Sequence, residues 1–513
     1  MFLNKFSNIY RSSFAVSFWT LVSRLFGYGR DILFAAFLGS GPVAEAFIIA
    51  FRIPNLFRRF FAEGSFSAAF IPMLSATNEK LGKEAGLVFT SNIASLMLLI
   101  VFPLVILSEL FMPNIILFIA PGFSDNLERL ELTIPYAKVI FPYLIFIVFT
   151  ALFSASLNTN GNFWVGAATP SILNIFLIIG LIVARYLDLE YGIIISWAVL
   201  FAGIFQMLLV AFANYRQGLS FKISFPNIDE KVILFLKKFF PAAFGAGVTQ
   251  INLLVASIFA SQIPGAISWL YYSDRVAQLP LGIIAIAIGT VLLPDLSKKI
   301  NLNKNKEQSL VQERAIILIL LFSFPSAVAL IYLSEIIVMT LFGYGVFTNN
   351  DIKNTANALE IYAYAIPAFM LIKVLAPNYF ARQDTKTPVK IATLCALINV
   401  FLCWYLVNKI GYIGIAISLS ISGYVNAFIL FFLLIKRKYY YLTKNFYLAF
   451  IKILLSTTVM LILLFLVKNF LLNINYGTSV FYNFAQIILF VFIGTFSYLY
   501  LCYAIGLFKL FKK

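Results

Sequence analysis

Arg24, Arg30, Asp31, Glu45, Arg52, Arg58, Arg59 and Glu63 all fall between Ser23 and Ser75, in a stretch otherwise apolar enough to enter a bilayer. An ionisable side chain at the bilayer centre costs about 2.5–3.5 kcal/mol, so five arginines facing lipid would cost on the order of 12 kcal/mol. They are therefore expected to face protein or water. At about 100° per residue, Arg24, Tyr28 and Asp31 share one stripe of a helix, and Glu45, Arg52, Arg59 and Glu63 line up within roughly 40° on a second. Two such stripes on neighbouring helices make a polar cleft. Its forked guanidinium donors match the oxygens of phosphate and carboxylate, so the chemistry on offer is recognition of a polyanion. Gly27, Gly29 and Pro54 interrupt the same helices, as in membrane helices that bend or unwind beside a water-filled cavity.

Arginines that snorkel to lipid headgroups are the plainer alternative. For Arg58 and Arg59 it stays open, since a helix end there would serve it. It suits Arg24 and Asp31 less well, because they follow only a short apolar run after Arg11 and a helix centred near them holds both deep in the membrane.

Catalytic chemistry finds little support. There is no histidine, and Cys395, Cys403 and Cys502 sit in apolar runs without paired spacing, so neither a metal site nor a disulfide framework is expected. No GxxxxGK[ST] loop is present for ATP. A phosphate-transferring enzyme would need a convergent Asp, His or Ser set, and none stands out. Movement of an anionic substrate without a cofactor is the better reading. Coupling to an ion or to the membrane potential stays open, since Asp31, Glu45, Glu63 and Asp274 serve equally well as arginine partners.

The elements that must position these residues are membrane helices. With 62% hydrophobic and 12% charged residues over 513 positions, and a mean hydropathy of +0.94, the chain reads as an all-α polytopic membrane protein. The net charge of +17 lies mostly in short loops between apolar runs, the positive-inside pattern, and not on a hydrophilic nucleic-acid-binding domain. Runs of about 20 apolar residues predict 14 helices: 13–37, 44–75, 85–110, 134–157, 166–184, 192–213, 239–262, 266–293, 315–341, 358–380, 390–408, 412–435, 446–467 and 484–508. The basic loops alternate with poorly basic ones, whose cations are Arg129, Arg185, Lys353, Lys409 and Lys468. Both termini fall on the basic side and are expected in the cytoplasm, the first helix as an uncleaved anchor. The cations left inside the spans are Arg24, Arg30, Arg52, Arg58, Arg59, Lys138, Arg275, Lys373 and Lys452, most of them in the first two helices.

A repeat runs through the first twelve helices. Pro54, Pro72, Pro103, Pro142 and Asn174 recur as Pro280, Pro294, Pro325, Pro367 and Asn399, and Ser108-Glu109 recurs as Ser334-Glu335, at offsets of 222 to 226 residues. Six helices per unit is an even number, so both copies insert the same way round, giving two parallel six-helix lobes plus a C-terminal helix pair. The domains expected are an N-terminal lobe over 1–215, a cytoplasmic linker over 216–238, a C-terminal lobe over 239–435 and the last pair over 436–513. The second lobe has QLPLGIIAIAIGTVLLPDLS where the first has its arginines. Its strongly charged intramembrane pair is Asp274-Arg275, in which Arg275 faces a cleft or the two form an interhelical salt bridge.

RLFGYGRD, AFRIPNLFRRFFAEGSFSAAFIPMLS, YYSDRVAQLPLGIIAIAIGTVLLPDLSK and KVLAPNYFARQDTKTPVK together closely resemble the lipid II flippases of bacterial cell-wall synthesis, the MurJ (MviN) family of the multidrug/oligosaccharidyl-lipid/polysaccharide exporter superfamily. The resemblance covers essentially the whole chain. It implies a transporter of the bacterial inner membrane, not an enzyme, that carries undecaprenyl-diphosphate-linked disaccharide pentapeptide from the cytoplasmic to the periplasmic leaflet by alternating access. It implies that Arg24, Arg30, Arg58 and Arg275 bind the diphosphate, with Glu45 the neighbouring acidic position, and that the last two helices carry a groove for the polyprenyl tail. Asp31, Arg52, Arg59, Glu63, Asp274 and Lys373 join Glu45 as supporting or gating residues. Lipid II, membrane lipids and cell-wall synthesis proteins are the partners it suggests. Helix geometry places Arg52 and Arg59 on the Glu45 stripe and Arg58 off it; a bend at Pro54 would rotate the later residues, and the family's position is followed. An exporter of another anionic amphiphile is the alternative within transport. A non-transporting scaffold of the cell-wall machinery is the alternative outside it, and it has no need of intramembrane charge.

Overall fold

A computed structural model describes residues 2–62, 65–302, 304–472 and 480–511. These residues form helices and their connections, with no strand among them. The chain divides into two compact units, Met1–Ser268 and Trp269–Lys513.

The first unit holds α1 (Phe2–Leu38), α2 (Pro42–Ala62), α3 (Ser65–Leu110), the short α4 (Met112–Ile119), α5 (Leu127–Ile140), α6 (Tyr143–Thr159), α7 (Trp164–Tyr186), α8 (Tyr191–Arg216) and α9 (Glu230–Ala260). It ends inside α10 (Ala266–Pro280). The second unit continues with α11 (Ile286–Asn301), α12 (Asn305–Tyr332), the short α13 (Ser334–Phe342), α14 (Asn349–Phe380), α15 (Lys386–Ile410), α16 (Ile413–Lys436), α17 (Lys444–Leu472) and α18 (Val480–Ala504). Eleven helical spans among the described residues are long and apolar enough to cross a membrane. The arginine-bearing α1 and α2, and α9, are outside that set; in α2, Glu45, Arg52, Arg58 and Arg59 interrupt the apolar residues.

Local chemistry explains several boundaries. Asn126 caps α5 by accepting from the Arg129 N–H, Asp229 caps α9 through Val232, and Thr348 with Asp351 forms a capping box on α14. Of the run expected as one helix over 44–75, α2 covers the part up to Ala62 and α3 the part from Ser65, with 63 and 64 outside the described residues; α3 is interrupted further on, at Gly82, where φ is +86°. Glycine tolerates that left-handed conformation without a Cβ clash. Pro280, which cannot donate to the helix ladder, is followed by a single π turn, Leu281–Ala285, before α11.

The repeat is present in the elements themselves. Helices α4, α5, α7 and α8 begin at Met112, Leu127, Trp164 and Tyr191, and α13, α14, α15 and α16 begin 222 residues later in each case. The packing partners recur within each unit: α3 on α6, α6 on α8 and α7 on α8 in the first, α12 on α14, α14 on α16 and α15 on α16 in the second. One difference is local. The first copy breaks between α5 and α6 at Phe141-Pro142, whereas α14 runs on through Pro367.

In lipid the hydrophobic effect gives helices little reason to associate, so close packing and small residues must hold them together. A Cβ on Gly192 would lie 2.1 Å from the Tyr136 ring, and one on Gly203 would lie 2.5 Å from Tyr143, so both glycines admit an aromatic ring between helices. Phe66 and Phe70 on α3 pack against Phe235 and Phe239 on α9, with the Phe66 and Phe235 centroids 5.5 Å apart and edge-on. That ring cluster fastens α9 to the first unit.

Candidate functional site

On α1, Arg30 and Asp31 form an ion pair despite being chain neighbours whose Cα–Cβ bonds point about 100° apart. The arginine is long enough to curl back: Nη2 lies 2.6 Å and Nε 3.0 Å from the same carboxylate oxygen, with the side chains 13% and 4% exposed. The third edge of the guanidinium donates from Nη1 to the Asn174 side-chain oxygen on α7 at 2.9 Å. Asn174 in turn donates to the Ser23 carbonyl at 3.0 Å, tying α7 to α1. Arg24 is half-buried on the same helix.

On α2 the charges are held separately. Arg52 donates to the Leu253 carbonyl of α9 at 2.9 Å, and Arg58 donates from Nε to Asn55 at 2.9 Å. Glu45 accepts from the Ile267 N–H at the start of α10 and from Arg129 of α5, at 3.1 and 3.2 Å. Arg129, grouped by the sequence with the loop cations, is buried; it also donates to the Ser261 carbonyl at 3.0 Å, and its guanidinium stands 4.8 Å over the Phe123 ring. This network ties α2 and α5 to the turn between α9 and α10. Of Arg59 only the helical backbone is described, and Glu63 lies outside the described residues.

In the second unit, the Arg275 guanidinium lies 4.7 Å over the Tyr271 ring one turn earlier, and Asp274 accepts from Gln278 on the same helix. Lys373 on α14 is exposed. A Cβ on Gly289 would lie 2.8 Å from the Lys373 carbonyl, so α11 approaches α14 closely there. Among the described residues no group of histidines, cysteines and carboxylates is placed to hold a metal.

The sequence profile described as "Lipid II flippase MurJ" matches residues 34–485, most of the chain. The chain belongs to the MurJ lipid II flippase family. It is 37% identical over 472 residues to the probable lipid II flippase MurJ of Rickettsia prowazekii, covering 91% of this chain and 92% of that one. It is 39% identical over 422 residues to that of Rhizobium tropici, covering 82% and 79%. A solved structure titled "Lipid II flippase MurJ, inward closed conformation" superposes with a TM-score of 0.80 at 31% identity, over 95% of this chain and 97% of that one. A MATE-family multidrug transporter in an inward-facing conformation has a TM-score of 0.66 at 14% identity, a likeness of fold alone. As a MurJ-family protein the chain is a polytopic transporter of the bacterial inner membrane and not an enzyme.

Sequence reasoning singled out Arg30 and Asp31 but not Asn174 as their partner, and Glu45 but not Arg129. Asn174 carries one signal, its recurrence as Asn399 in the repeat. Arg129 carries another: Asn126, three residues earlier, is a helix cap, which places Arg129 inside the first turn of α5.

Proposed function

We propose that this chain moves lipid II from the cytoplasmic to the periplasmic leaflet by alternating access, and that Arg24, Arg30, Arg58 and Arg275 contact its diphosphate in the course of transport. The observation that carries this reading is the Arg30 guanidinium, fixed on two sides by Asp31 and Asn174 on helices of a membrane protein of the lipid II flippase family. A membrane helix bears such a charge at a cost of about 2.5–3.5 kcal/mol, which a purely structural helix has no reason to incur. Preorganised, forked donors suit a diphosphate because they need little reordering when the anion arrives.

The topology that goes with this reading has 14 spans, both termini in the cytoplasm and two six-helix repeats inserted the same way round, over 1–215 and 239–435, joined by a linker over 216–238. Glu45 acts as a gating residue, its contacts with Arg129 and Ile267 holding α2 to the α9–α10 turn. Residues 436–513 form the final pair, with a role in holding the polyprenyl tail. An open apolar trough of about 740 Å³ runs along α18, lined by Ile488, Val491, Phe492, Thr495, Phe496 and Tyr500 among others, and supports that assignment.

Competition on the purified protein tests the anion claim. Undecaprenyl diphosphate should displace lipid II and undecaprenol should not, with affinity falling as salt is added. Equal displacement by the two lipids would remove the diphosphate from the account.

A further inference from the structure

We infer that Asn174 is a positioning residue for Arg30 and that its being a neutral amide matters as much as its geometry. The inference rests on the reading of Arg30 as a diphosphate ligand. Asp31 takes the Nε and Nη2 edge of the guanidinium, and Asn174 takes a hydrogen of Nη1, so the plane of the group is held from two sides. Asn174 is itself fixed, because its amide nitrogen donates to the Ser23 carbonyl two helical turns before Arg30. The position a Gly27 Cβ would take lies 3.5 Å from that nitrogen, so a side chain longer than alanine's at Gly27 would compete with the amide for its place. Asn174 is buried at this contact between α7 and α1.

The electrostatics give the amide its second property. Arg30 already has one carboxylate against it, and a second would leave the local charge net negative and repel an anion. An amide supplies the same acceptor geometry without that charge. Asn174 thus orients Arg30 while leaving its attraction for a diphosphate intact.

The test compares lipid II affinity and melting temperature for full-length protein carrying N174A, N174D, R30A and the N174A/R30A pair. N174A is expected to weaken binding about tenfold, the order of a hydrogen bond to a charged group. In the R30A background the same change should alter affinity by less than about twofold, since its target is gone. N174D keeps an acceptor for Arg30 but loses the donor to the Ser23 carbonyl, so its melting temperature should fall about as far as that of N174A while its binding weakens at least as much. Wild-type affinity in N174A and N174D, with R30A impaired, would overturn the positioning role and leave the anion-binding reading standing. Equal losses from N174A in both backgrounds would mean a structural role only and overturn it as well. Wild-type affinity in R30A would overturn both.

Discussion

Glu45 and Arg129 form an ion pair in which the carboxylate is 2% and the guanidinium 4% exposed, with Nη1 3.2 Å from Oε2. Removing one partner of an enclosed pair strands the other charge, at a cost of about 3–5 kcal/mol. Arg129→Ala and Glu45→Gln should each lower the melting temperature and the amount of folded protein. The exchanged pair, Glu45→Arg with Arg129→Glu, should recover only part of the loss, because Glu45 also accepts from the Ile267 N–H. Wild-type melting in Arg129→Ala would show that the pair contributes nothing.

Gly122 gives a steric prediction in the same region. A Cβ there would sit 2.4 Å from the Ser261 carbonyl oxygen, which is backbone and cannot rotate away. Gly122→Ala should therefore destabilise by at least the 1–3 kcal/mol, roughly, of an overpacked core. Gly29→Ala, with open space around its Cβ, should leave the melting temperature unchanged or slightly raised. A matched response from the two variants would mean that the α9–α10 turn is not packed as described.

The repeat was legible because prolines and buried asparagines mark fixed points on each helix, and the helix starts do recur at one spacing. Ideal-helix phase grouped Glu45 with Arg52, yet the long side chains choose other partners: Arg52 reaches α9, Arg58 turns back to Asn55, and Glu45 meets α5. Such pairings depend on which helices are neighbours, which periodicity does not encode. Asn174 is marked by its recurrence as Asn399, but its partnership with Arg30 is not, because an amide gives no sign of the guanidinium it serves until the two are seen side by side.

Asp384, between α14 and α15, yields a pH prediction. Burial opposes its ionisation, but the hydroxyl and N–H of Thr387 and the Arg437 guanidinium outweigh this and hold the carboxyl below its ordinary range. A depressed folded-state value means the stabilisation is present above the unfolded value of about 3.9 and is lost as pH falls through the folded one. Asp384→Asn should thus melt below wild type at neutral pH, with the gap constant down to about pH 5 and closing below about pH 4. A gap that widens on acidification would contradict the sign.

The proposed topology predicts accessibility. Asp188, Asn350, Lys80 and Thr385 are exposed, so cysteines there are reachable from whichever side they face. Those at 188 and 350 should react with an impermeant thiol reagent added outside intact cells, and those at 80 and 385 should react only after permeabilisation. Labelling of either pair from the wrong side would overturn the orientation.

The most direct measurement of the central claim is the leaflet distribution of lipid II in cells depleted of this protein and supplied with wild type, Arg30→Lys or Arg30→Ala. Periplasmic lipid II is expected with wild type, a partial return with Arg30→Lys, and lipid II held in the cytoplasmic leaflet with Arg30→Ala, compared at matched amounts of protein in the membrane because the change takes the guanidinium from the buried Asp31. Lysine keeps the charge and loses the fork, which is why its rescue should be incomplete. Normal flipping by Arg30→Ala would show that Arg30 takes no part in transport.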